Sequence, residues 1–143
     1  MNIVIFYEKP GCATNARQKK SLREAGCMVI ERDLLRHGLN AEELHSFLSG
    51  LPVGQWFNPN APKIKSGEID PSGISEEAAL RILMMEPILI RRPLMVIGRR
   101  KLCGFDSDRV ERLLERKFER HVPTACSNPE ERCETVLTFK KER

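Results

Sequence analysis

No apolar run in the sequence approaches the length of a bilayer-spanning helix, so a membrane protein of that kind is not expected. The opening stretch Ile3 to Tyr7 is too short for the apolar segment of a secretory signal, and no basic lead precedes it; a cytoplasmic protein is expected. There is no Cys-x-x-Cys pair among Cys12, Cys27, Cys103, Cys126 and Cys133, and His37, His45 and His121 are scattered, so no metal site is expected. An odd number of cysteines without a secretory signal does not read as a disulfide framework. Aromatic residues are few, with one Trp and one Tyr, and none interleaves with a basic run. Lys and Arg exceed Asp and Glu by only 24 to 20, with both signs mixed along the chain, so nucleic-acid binding is not expected. Internal repeats and a second domain are also lacking.

What remains is one domain of 143 residues, 41% of them apolar, which is enough for a core. It is organised around Lys9-Pro10-Gly11-Cys12-Ala13-Thr14. This stretch follows the apolar run Ile3 to Tyr7 and precedes a helix-compatible segment, Asn15 to Ala25. A strand, a Pro-Gly turn, a cysteine and then a helix places the sulfur at a sheet edge, where the helix start aims unpaired N–H groups and its positive dipole end at it. Both favour the thiolate, which is the nucleophile. The bland reading of Cys12 is a small half-buried apolar residue beside a turn. Its position at the strand–helix junction favours a redox or nucleophilic role.

Ile3 to Tyr7 is apolar throughout, as in a strand buried on both faces. Gly26 stops the first helix, and Cys27 to Ile30 forms a second strand, parallel to the first in a right-handed βαβ unit. Asn40 and Glu43 form a capping box ahead of a helix whose buried face is Leu44, Phe47, Leu48 and Leu51, with Leu39 as a staple. Val53 to Gly73 is rich in Pro, Gly and Asn; Trp56 and Phe57 pin this irregular segment to the core. Ser75 caps a helix with Ala79, Leu80, Leu83 and Met84 facing inward, ending at Glu86-Pro87. Leu94 to Ile97 and Lys101 to Cys103 form a hairpin, and Asp108 to Arg120 an amphipathic helix with Val110, Leu113, Leu114 and Phe118 inward. The order is βαβ, a helical insertion over 38–87, then ββα. This is the thioredoxin-like α/β order, over residues 1–121. A polar tail follows over 122–143, expected to pack loosely except at Val136, Leu137 or Phe139.

Two stretches carry a resemblance: Tyr7-Glu8-Lys9-Pro10-Gly11-Cys12-Ala13-Thr14, and Pro87-Ile88-Leu89-Ile90-Arg91-Arg92-Pro93 followed by Leu102-Cys103. From Met1 to about Phe118 the chain resembles the glutaredoxin-linked arsenate reductase family, which also contains the Spx regulators. Trp56 to Gly67 and Leu102 to Asp106 look most like the nitrogenase-associated branch. The resemblance implies that Cys12 attacks an oxyanion, that Thr14 and Arg92 line its pocket, and that glutathione or glutaredoxin supplies the external reductant, with no bound cofactor. It also implies a cis bond at Arg92–Pro93. Planar guanidinium forks suit a tetrahedral anion, and the family supplies three.

Here Arg92 matches one fork. Gly104 stands at the second, after Leu102-Cys103, and the third falls at or near Asn58. A histidine before the loop is Glu8, and a Ser-Arg pair after the cysteine is Asn15-Ala16. Two lost charge-assisted contacts cost on the order of 3–6 kcal/mol in anion binding, at about 1.5–3 each. Little arsenate reduction is therefore expected. Gly104→Arg with Glu8→His would restore anion affinity, provided that Gly104 does not have φ > 0.

Two functions remain open. One is a thiol oxidoreductase using Cys12. The other is a non-catalytic protein that docks a partner on the same scaffold, as Spx regulators do, the partner here belonging to the nitrogenase system. Asn15 stands where an Spx-type loop has its second cysteine, so no internal switch is expected there. The spacing of Cys126 and Cys133 matches no strong metal-ligand motif, and it is the only support for their pairing or for their acting as resolving thiols for Cys12.

Overall fold

A computed structural model describes residues 2–36 and 38–124. Its centre is a four-stranded sheet in the order β2-β1-β3-β4. Strand β1 (Ile3–Glu8) is central. It pairs in parallel with β2 (Met28–Asp33) and antiparallel with β3 (Leu94–Ile97), and β3 pairs antiparallel with the edge strand β4 (Arg100–Cys103). The right-handed crossover between β1 and β2 is α1 (Ala13–Glu24). The Arg92–Pro93 bond is cis, as expected. The fold is thioredoxin-like, with three layers.

Period-two alternation divides the core between the two faces of the sheet. Val4, Phe6, Met95, Ile97 and Leu102 face α1 and α5 (Ser107–Leu114), packing on Leu22, Val110 and Leu114. Leu94, with Tyr7 and Val96 beside it, faces the insertion, whose helices are α2 (Ala41–Leu48), the short α3 (Pro62–Lys65) and α4 (Glu76–Met85). The capping box at Asn40 and Glu43 forms with both of its bonds, and Ser75 Oγ accepts from the Ala78 N–H. Trp56 is fully buried and donates from Nε1 to Leu51 O at 2.9 Å, so the irregular segment is indeed pinned from within.

Several boundaries differ from the expectation. Ile3 is 52% exposed, so the first strand is covered on both faces only beyond its first residue. Strand β2 runs on to Asp33, because backbone pairing with β1 continues to Glu8↔Asp33 after the apolar residues end. Met84 is exposed. Helix α5 stops at Leu114, where Glu115 turns left-handed at φ 58° and the Glu111 carbonyl accepts from Arg116 N. Phe118 still packs on the core, from beyond the helix, with its N–H donating to the Glu111 carboxylate at 2.6 Å. Packing also passes the expected boundary at 121: Val122 is buried in the core, and Pro123 O accepts from Gln18 Nε2 at 2.8 Å. Cys126, Cys133, Val136, Leu137 and Phe139 lie outside the described residues.

Truncating the buried indole should be costly. Trp56→Ala is expected to lower unfolding free energy by about 3–5 kcal/mol in chemical denaturation. Met85→Ala, at a side chain 77% exposed, should stay within about 0.5 kcal/mol of the parent.

Candidate functional site

The β1–α1 turn is set by Gly11, whose φ of +85° is open to glycine at little cost. Cys12 N donates to Lys9 O at 3.2 Å, closing the turn. Cys12 is then the N-cap of α1, with extended φ −76° and ψ 118°, and its carbonyl accepts the first helical bond, from Ala16 N at 3.0 Å. No acidic residue lies in the first helical turn, so no side chain there competes for the positive end of the helix. The residue is 7% exposed.

Cys12 opens onto a cleft of about 420 Å³, also lined by Thr14, Asn58, Asn60, Arg91 and Arg92. Thr124 lines it too, and among the described residues no carboxylate does. The expected residues Cys12, Thr14, Arg92 and Asn58 are thus brought together. Pro93 is buried behind them, and its carbonyl accepts from Gly104 N at 2.8 Å. Arg92 Nη1 donates to Ile88 O at 3.4 Å. Asn58 N donates to Leu89 O at 2.8 Å, and its Oδ1 accepts from Asn60 N at 3.0 Å. That bond fixes the carboxamide with its Nδ2 buried and, among the described residues, without an acceptor.

Glu8 does not face this cleft. Its carboxylate pairs with Lys19 Nζ at 2.9 Å, and the same ammonium reaches Glu31 at 2.6 Å. The carboxylate that stands at the family's histidine position is therefore largely balanced in charge. Burial raises the Glu8 carboxyl above the ordinary range, Lys19 pulls it back, and the nearby Cys12 is a lesser cause in the raising direction. Burial opposes the Lys19 ammonium, but its bonds to Glu31 and Glu8 win and raise its pKa. The remaining described thiols are unsuited to chemistry. Burial pushes Cys103 up to about 12, and it raises Cys27 as well.

Two features escaped the sequence reading, and a third entered it only as a proviso. Arg91 lines the cleft; its only signal was the Arg-Arg doublet before Pro93. Asn15, read only as a departure, is a buried tie: its Oδ1 accepts from Lys9 N at 3.4 Å and its Nδ2 donates to Gln18 Oε1 at 3.0 Å. Gly104 has φ +83°, and a Cβ there would sit 2.7 Å from Arg91 Nε. The proviso attached to Gly104→Arg therefore applies: arginine at 104 is strained and collides with Arg91, so that substitution cannot test the site.

A thioredoxin-like sheet, a thiol at the first helix start and a cis-proline leading into β3 define a thioredoxin-fold protein whose cleft holds, among the described residues, one cysteine. The ArsC family model matches residues 7–113, and the chain belongs to that family. A protein of Rhodospirillum rubrum, described as an uncharacterized 15.7 kDa protein in the draG 3' region, is 45% identical over 72% of this chain and 72% of its own. The global transcriptional regulator Spx of Enterococcus faecalis is 25% identical over 80% of this chain and 88% of its own. Among solved structures, an ArsC family related protein from Bacteroides fragilis superposes with a TM-score of 0.68 at 29% identity, over 77% of this chain and 96% of that one.

Lys19→Met should leave Glu8 buried beside Cys12 without its counter-charge. The pH midpoint of Cys12 alkylation is expected to rise, and Glu8→Gln in the same background should bring it back. Stability should fall by about 2 kcal/mol at neutral pH, less than the ~3–5 kcal/mol of a fully buried pair. The sign follows from Glu8: its raised carboxyl favours the folded state when protonated, and this contribution is lost as pH rises through the raised value. The Lys19→Met penalty should therefore shrink between pH 7 and pH 4, as read by denaturant midpoints.

Proposed function

We propose that the chain is a thiol oxidoreductase of the arsenate reductase type, with Cys12 as nucleophile and an anionic substrate held by the cleft. One observation supports this above the others: the thiol sits at a helix start, in a cleft lined by two arginines and, among the described residues, by no carboxylate. Thr14 and Asn58 complete the polar lining, and Arg92 is the family's matching fork. In the proposed reaction the Cys12 thiolate displaces an oxygen of the oxyanion as water and forms a thiol–oxyanion adduct. Glutathione then attacks the adduct. Two electrons pass from the two sulfurs to the central atom, which leaves reduced, and a Cys12–glutathione disulfide remains. Glutaredoxin with further glutathione returns Cys12 to the thiol. Chemistry that needs free thiols belongs in a reducing compartment, and we place the protein in the cytoplasm.

A second reading has its own support. The similarity to Spx regulators extends over 80% of the chain, and those proteins are transcriptional regulators. On that reading the cleft is a docking scaffold, and we take its partner to come from the nitrogenase system, in line with the nitrogenase-associated resemblance. The two readings differ at the sulfur. An oxidoreductase should show Cys12 alkylation with a midpoint well below that of an ordinary thiol, and a docking scaffold should show an ordinary midpoint.

The direct test is arsenate-dependent oxidation of glutathione in the presence of glutaredoxin, where slow turnover is expected because positions 58 and 104 lack the family's forks. Turnover that disappears in Cys12→Ser supports the enzyme. No turnover and no mixed disulfide at Cys12 by mass spectrometry would sink it, and capture of a nitrogenase-system protein would then favour the second reading. Cys103, with its pKa near 12, should stay unlabelled by iodoacetamide below pH 9 in the folded protein, while Cys12 reacts.

A further inference from the structure

The cleft holds a cation that neither its fold nor its internal bonding accounts for. Arg91 is half-buried, and among the described residues its guanidinium makes no hydrogen bond or ion pair. Its backbone is fixed on both sides: Arg91 N donates to Trp56 O at 3.0 Å, and Arg91 O accepts from Cys103 Sγ at 3.5 Å. The side chain lies against Gly104. A Cβ at 104 would come within 2.7 Å of Arg91 Nε and 3.5 Å of Arg91 Nη2, a separation real Cβ atoms do not show at the first distance. The absence of a side chain at 104 is thus what gives Arg91 its place.

We propose that Arg91, laid over Gly104, is the second guanidinium of a tetrahedral-oxyanion seat beside Cys12, so that arginine at 91 and glycine at 104 work as a pair. The inference rests on the reading of the Cys12 cleft as the working site. A second observation points to a ligand independently. Asn58 Nδ2 is a donor in a residue 93% buried, reckoned from its 7% exposure, and it lines the same cleft without an acceptor. Among the described residues, a half-buried guanidinium and a buried amide donor both lack acceptors, and no carboxylate of the cleft lining competes for them. An anion with oxygens in several directions satisfies both, and planar forks bind such oxygens in pairs. The seat therefore regains from position 91 the fork missing at position 104.

The test uses the reduced full chain and calorimetric titration with inorganic phosphate, sulfate and acetate. Phosphate and sulfate should bind more tightly than acetate. Arg91→Ala should weaken phosphate by about 10- to 100-fold, and Arg91→Lys should recover only part, because an ammonium offers no planar fork. Gly104→Ala should weaken it too, by displacing Arg91, and should add little in the Arg91→Ala background. Gly67→Ala is the control for strain: its φ is +82°, nothing lies within 4 Å of its Cβ position, and binding should match the parent. Parent-like phosphate binding by Arg91→Ala overturns the inference, as does failure of the parent to bind phosphate or sulfate, or additive losses from the two substitutions. Arg91-dependent phosphate binding without any Cys12 turnover would uphold the inference and reject the oxidoreductase reading.

Discussion

A short line of buried amide bonds holds the site in register. Lys9 N, the Asn15 carboxamide, the Gln18 carboxamide and Pro123 O are joined in sequence, at 3.4, 3.0 and 2.8 Å. Asn15 and Gln18 are both buried, so the bonds at Asn15 are made away from water, and the bond to Pro123 O is partly so. The line ties the turn before Cys12 to the first two turns of α1, and ties α1 to the segment that brings Thr124 to the cleft. Polar residues on the inner face of a helix are costly unless satisfied. Here they are satisfied by each other and by backbone, which makes their positions mutually dependent.

The insertion completes what this line begins. Trp56 O accepts from Arg91 N, Asn58 N donates to Leu89 O, and Gly104 N donates to Pro93 O. Three segments distant in sequence are laced together, two of them lining the cleft with Asn58, Asn60, Arg91 and Arg92 and the third making room for Arg91. The apolar cluster under the insertion, with Trp56, Phe57, Leu83 and Leu89, keeps these backbone bonds from exchanging with water. The loop from 53 to 73 is irregular in composition, yet its cleft-lining residue Asn58 is among the buried ones.

Much of this was legible in the sequence, and for physical reasons. Apolar periodicity, the Asn40 and Ser75 caps, and the Pro-Gly turn before Cys12 are local signals, and they placed the helices, the order of elements along the chain and the thiol. Element ends were less legible. The strand β2 extends through Glu31 to Asp33 because pairing belongs to the sheet and not to the segment. The end of α5 depends on one left-handed residue, Glu115, that composition does not mark. The partner of Glu8 was also hidden, because Lys19 reaches it across the β1–α1 interface from eleven residues away.

The charge of the cleft shows most clearly what position-by-position comparison leaves out. Glu8 and Gly104 both look like losses when each is set against a family pattern. In three dimensions the first is balanced by Lys19, and the second is what allows a neighbouring arginine to lie where a side chain would otherwise stand. A binding site is specified by the charges that reach it, whichever backbone they come from. Oxyanion recognition depends on guanidinium orientation more than on its point of attachment, since the fork lies several bonds from the Cα. An arginine can therefore move between adjacent segments at modest structural cost, provided that the position it vacates becomes small. Gly104 meets that condition, and its positive φ makes the vacancy hard to refill.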